Sequence, residues 1–175
     1  MAIRTTSASE GGQYEPGWKE VTVKKASYGT WDDNKYIDVV FEELPENLNL
    51  RVYEAFSKKT NEEFAVAKFF KLANAGIVEE VVDHNGKKCI RFDDDTAGLK
   101  GKRMFIYVYK NEEGYSRVLR EIAPIPQNVE GEVLSYSDKD TEYWQKRAIK
   151  YYNEYKKPAN DEMTGTNSSS DGIPF

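Results

Sequence analysis

Apolar and polar residues alternate with period two over most of residues 18–126, the mark of half-buried strands. Residues 18–25 set Val21 and Val23 on one face. Residues 35–42 set Ile37, Val39 and Phe41 together, opposite Tyr36, Asp38 and Val40. Residues 48–56 set Leu48, Leu50 and Val52 inward and Arg51 and Tyr53 outward. The period then changes. Thr60 and Glu63 have capping-box spacing, Val66, Phe69, Phe70 and Ala73 follow at helical intervals, and Gly76 marks a stop. Residues 77–92 read as a hairpin turning at Asn85-Gly86, the strongest short-range hairpin dipeptide. Residues 102–110 set Met104, Ile106 and Val108 inward, with Arg103, Phe105, Tyr107 and Tyr109 outward. Glu113-Gly114 turns the chain into a last strand over 115–122, bearing Val118 and Ile122.

Three strands, a helix, a small insertion and two strands form the order of the OB-fold, a partly open five-stranded Greek-key barrel. Other small α+β domains produce the same string. The expected fold is therefore mainly β with helices: a five-stranded OB-fold barrel, its helix between strands three and four, over 17–126. A flexible N-terminus over 1–16 precedes it, and a linker with a C-terminal helix over 127–157 follows. Ser137 or Asp138 can cap that helix, whose first turn is acidic and whose last turn carries Lys156 and Lys157, as the helix dipole favours. Trp144, Ala148, Tyr151 and Tyr155 form one stripe along it, expected to pack on the barrel, with self-association as the alternative. Residues 158–175 have no periodicity and read as a disordered acidic tail.

The outward strand positions carry the first candidate chemistry. Trp18, Lys24, Tyr36, Arg51, Tyr53, Arg103, Phe105, Tyr107 and Tyr109 point away from the expected core, and Trp31 sits in a Tyr28-Gly-Thr-Trp-Asp turn. Aromatic rings interleaved with cations suit single-stranded nucleic acid, because every base has a face to stack and every phosphate can meet a cation. The chain carries 12 Tyr, 8 Phe and 3 Trp, more than a core of this size needs. Phe105, Tyr107 and Tyr109 have a second reading, packing beneath the C-terminal helix or the 77–92 insertion.

Charge changes the picture next. With 25 Lys+Arg against 30 Asp+Glu, the net charge of -5 at first argues against a nucleic-acid partner. Three of those acids lie in 158–175, which has no Lys or Arg, so residues 1–157 carry 25 bases against 27 acids. The acids there concentrate in expected turns and edges, whereas Lys24, Arg51 and Arg103 lie on strands. One Cys and one His exclude a disulfide framework and structural zinc sites of four cysteines or two cysteines with two histidines. No apolar run approaches a membrane span, and residues 1–12 lack a signal-peptide core, so a soluble cytoplasmic protein is expected, without cofactor.

Catalytic signals are sparse. Asp93-Asp94-Asp95 reads as a solvated acidic loop, with a metal-dependent nuclease as the rival reading. His84 and Cys89 flank the hairpin turn without a third group to orient them. No phosphate-cradling glycine motif is present. The expectation is a non-catalytic binding protein, and the alternative is a β-barrel adaptor that uses its aromatic face for a protein.

The chain ends Asp171-Gly-Ile-Pro-Phe175. An apolar tip on an acidic tether suits a partner's pocket: Phe175 fills it, its carboxylate meets a cation, and Pro174 limits the entropy lost on docking. This ending resembles the tip of bacterial single-stranded DNA-binding proteins, which typically finish Asp-Asp-Asp-Ile-Pro-Phe. Ile173, Pro174 and Phe175 match in full, while only Asp171 matches in the acidic part. The body, with Gly101-Lys102 leading into the fourth strand, is similar by pattern to the diverged bacteriophage members of that group. The resemblance implies an OB-fold and a role in coating single-stranded DNA during replication, recombination and repair in a bacterial host. It also implies recruitment of host or phage genome-maintenance proteins through Asp171, Ile173, Pro174 and Phe175. Self-association is left open.

Overall fold

The computed structural model describes residues 2–4, 15–128 and 130–157. The tip residues Asp171, Ile173, Pro174 and Phe175, with the whole 158–175 segment and most of 1–16, lie outside the described residues.

The alternation in the sequence is realised as an antiparallel sheet in the order β3-β2-β1-β6-β7. It consists of β1 (Gly17–Trp31), β2 (Asn34–Phe41), β3 (Leu50–Tyr53), β6 (Arg103–Lys110) and β7 (Ser116–Val118), with the short β8 (Ala123–Pro124) also on β6. The organising element is β1. Residues Gly17 to Thr22 pair with β6, and from Val23 onward the strand pairs with β2. At the change of partner the register slips between Val23 and Lys25, so one residue is inserted there as a bulge. A bulge reverses which residues face inward. Val21 and Val23 are buried before it; Ala26 and Tyr28 pack against the core after it, leaving Gly29 and Trp31 on the outer face.

The inner faces behave as the pattern predicts. Ile37, Val39 and Phe41 of β2, Leu50 and Val52 of β3, and Met104, Ile106 and Val108 of β6 are buried. Each such side chain contributes about 1.5–3 kcal/mol through burial. α1 (Ala65–Ala73) turns Val66, Phe69, Phe70 and Ala73 into this core. It touches β3 at one end of the strand order and β6 and β8 at the other, so a helix spans the space where further strand pairing would be needed. The sheet is not a closed barrel.

Several expectations are corrected. The described chain has eight strands instead of five. The third strand is shorter than 48–56, and the last divides into β7 and β8, although Val118 and Ile122 do face the main core. α1 is not capped by Thr60. Glu63 accepts hydrogen bonds from the amides of Ala65, Val66 and Ala67 at 2.9 Å each. α1 ends at Asn74, whose left-handed φ of 54° lets its amide close on Lys71 and Phe70, two residues before Gly76. Gly76 is needed for another reason: its φ is +66°, and a Cβ there would lie 2.2 Å from the Asp93 carbonyl oxygen. That approach ties off the hairpin β4 (Ile77–Val82) and β5 (Lys88–Phe92), through an Asp93 N–H to Gly76 C=O bond of 2.7 Å and Phe92 stacked on Phe70. The hairpin turns where Asn85-Gly86 predicts.

α2 (Asp138–Tyr151) starts with a full capping box between Ser137 and Asp140. It continues into a π-helical turn, Tyr152–Lys156. The wider turn breaks the expected stripe. Ala148 and Tyr152 are buried against Tyr109 and Leu119, with Tyr151 at the edge, while Tyr155 is 69% exposed. The Thr141 hydroxyl donates to the Pro124 carbonyl at 2.7 Å and anchors the helix on β8. Among the described residues no helix is long and apolar enough to cross a membrane.

Candidate nucleic-acid interface

α2 divides the outer face of the sheet into a covered half and an open half. The covered half belongs to β6 and the start of β1. Cross-strand pairing sets Trp18 beside Tyr107, with ring centroids 5.3 Å apart and an edge-on geometry. Tyr152 packs on Tyr107 and on Tyr109, at 5.3 and 5.4 Å. Burial raises the Tyr109 hydroxyl above its ordinary pKa. Trp18, Tyr107 and Tyr109 are therefore packing residues beneath the helix, the second of the two readings open for the tyrosines. Phe105 is half-buried opposite Glu20, and Arg103 is held by an ion pair to the same Glu20. Lys24 sits at the bulge, 3.8 Å from Glu46, beside Lys25 at 3.3 Å from the same carboxylate.

The open half belongs to the end of β1, β2 and β3. Register aligns Gly29, Tyr36 and Tyr53 in one row and Ser27, Asp38 and Arg51 in the next. Tyr36 meets Tyr53 edge-on at 5.3 Å. The Arg51 guanidinium lies 3.9 Å above the Tyr36 ring centre. Asp38 fixes its plane, accepting from Nε at 2.7 Å and Nη2 at 2.8 Å, and accepts also from the Asn49 amide at 3.1 Å. Such a two-pronged pair fixes geometry more than it adds stability at a surface. The hydrogen bonds that Arg51 donates to Asp38 raise its pKa above the ordinary value, against a smaller opposing effect of burial.

Beneath Tyr36 the second special glycine matters. A Cβ at Gly29 would come within 2.6 Å of the tyrosine hydroxyl, so the ring lies flat on bare backbone. The result is a layered stack of Gly29 backbone, Tyr36 ring and Arg51 guanidinium. The outermost layer is a flat cation and not, as the sequence suggests, a free tyrosine face. Trp31, 64% exposed, stands at the end of β1, next to a tight turn in which Asp32 and Asp33 both have positive φ. Trp31, Arg51 and Tyr53 thus share one uncovered surface, with Tyr36 as its support.

No protein-family model matches the chain, and no curated protein is significantly similar to it.

Two of the acidic candidates make local turn contacts. Asp93 accepts from the Asp95 amide, and Asp95 from the Ala97 amide, capping a single 3-10 turn, Thr96–Gly98. Among the described residues no cluster of three or more His, Cys, Asp or Glu is placed to hold a metal ion. Cys89 stands opposite Val81 in the hairpin register, and His84 is not its cross-strand partner. Sequence reasoning missed Lys25, which the bulge brings to the surface, and the exposed Tyr143, Arg147 and Lys150 of α2. The exposed faces of α2 are signalled in the sequence only by cations among the aromatics of a helix.

Proposed function

We propose that the protein binds single-stranded nucleic acid, DNA in the first instance, on the open half of its sheet. The observation that carries this is the Tyr36–Arg51 stack beside exposed Trp31 and half-buried Tyr53. Bases stack on rings and on guanidinium planes alike. The element order, the long bent β1 and the helix between the sheet's edge strands also support an OB-type relationship, in which the face of the second and third strands is the usual binding surface. The role is binding and protection of exposed strands in a bacterial cytoplasm, without chemistry on them.

Fluorescence anisotropy with labelled oligo-dT, the matching duplex and an RNA oligomer tests this. Oligo-dT is expected to bind at least about tenfold more tightly than duplex, whose paired bases hide their faces. Affinity is expected to fall by about 0.7 log units per log unit of salt for each phosphate neutralised. Equal affinity for single strand and duplex refutes stacking. Absence of any nucleic-acid binding leaves the aromatic face to a protein partner.

The terminal Asp171, Ile173, Pro174 and Phe175 complete the proposal as a recruitment tip, on the strength of the sequence resemblance. Deleting Phe175 is expected to leave oligo-dT affinity unchanged while pull-down of host repair proteins is lost. A deletion that weakens DNA binding and loses no partner removes this part of the reading.

A further inference from the structure

A second aromatic and cationic surface lies away from the open face. Lys68 of α1, Arg120 of the segment between β7 and β8, and Arg147, Lys150, Tyr151 and Tyr155 of α2 and its π-turn line an open groove of about 300 Å³. Glu121 engages two of the cations: Lys68 at 2.5 Å, and Arg120 Nε at 3.4 Å without hydrogen-bond geometry. Arg147 and Lys150 have no salt bridge with any described carboxylate. Glu154 is the other lining acid, so the groove carries four cations against two carboxylates.

The rings are arranged with the cations. Arg120 lies 5.0 Å from the Tyr151 ring centre, and Arg147 lies 5.5 and 5.6 Å from those of Tyr143 and Trp144. Tyr155 is 5.1 Å from Tyr151 and keeps most of its surface in water, while Tyr152, one turn after buried Ala148, takes the inward position. A peptide of acidic residues alone would use the cations and leave the rings idle. A nucleotide chain offers one phosphate and one flat face per residue, which matches both sets of groups.

We infer that this groove holds a second segment of a bound single strand, with phosphates at Arg147 and Lys150 and a base against Tyr155. The inference rests on the proposed single-strand binding. The full chain, the double variant Arg147→Ala/Lys150→Ala and the variant Tyr155→Ala are titrated with oligo-dT of about 6 and about 30 nucleotides, one within and one well beyond the roughly 4–16 nucleotides that an OB-type domain covers. The short oligomer is expected to bind all three proteins equally. The long one is expected to bind the double variant about five- to tenfold more weakly, with a salt slope shallower by about 1.4, and Tyr155→Ala about fivefold more weakly. If the unaltered protein binds neither oligomer, single-strand binding and the groove assignment fall together. If it binds both, and the variants match it in affinity and slope, the groove assignment alone is overturned. Variants that bind DNA normally but lose a synthetic 158–175 peptide assign the groove to an acidic segment, and overturn it equally.

Discussion

Replacing Trp31 and Arg51 together with alanine is expected to lower affinity for oligo-dT by about 30-fold or more, since each stacking platform is worth ~1–3 kcal/mol per base. The two act differently. Trp31 offers a bare ring at the hairpin end, whereas Arg51 offers a guanidinium held by Asp38 at its edge and Tyr36 beneath. Arg51→Lys separates plane from charge: it keeps the cation and loses both the two-pronged pair and the flat face. Most of the Arg51 contribution is expected to vanish in that variant, with the salt slope nearly unchanged. Folding stability should move by less than about 1 kcal/mol, because one residue is exposed and the other forms a surface pair. Thermal unfolding and oligo-dT titration of the same samples check both statements. Normal affinity in a folded double variant would remove the open face from the binding site.

The period-two pattern made most of the core legible, because the inward residues of β2, β3 and β6 are all apolar and all buried. The outer face was legible only as a set of residue types. Its division into covered and open halves depends on where α2 docks, and that is settled by contacts between Tyr152, Tyr107 and Tyr109 that no local spacing announces. The bulge in β1 was equally silent. Alternation continued unbroken from Val21 and Val23 would turn Trp31 inward; the single inserted residue turns it out. The stripe on α2 misled at Tyr155 because a π-turn does not keep the helical period.

Glu63→Ala is expected to cost about 2–3 kcal/mol of folding stability, more than its partial exposure suggests. Thr60 and Glu63 carry the spacing of a capping box, yet the box does not form: Thr60 Oγ1 accepts from the Glu62 amide at 3.3 Å, and α1 begins after Phe64, which offers no capping side chain. Glu63 takes over the whole task. Its carboxylate receives the amides of Ala65, Val66 and Ala67, the orphan donors of the first turn, and brings negative charge to the positive end of the helix. It also receives the Ala55 amide at 3.0 Å, which ties the exit of β3 to the start of α1. Alanine strands these four donors together, since no neighbouring side chain replaces the acceptor. Glu63→Gln keeps one acceptor oxygen and no charge, and should fall between the two. In urea unfolding, a slope of about 1–3 kcal/mol/M converts the alanine loss into a midpoint lower by about 0.7–3 M. A midpoint within about 0.2 M of the unaltered protein would mean that water satisfies the helix end as well as Glu63 does.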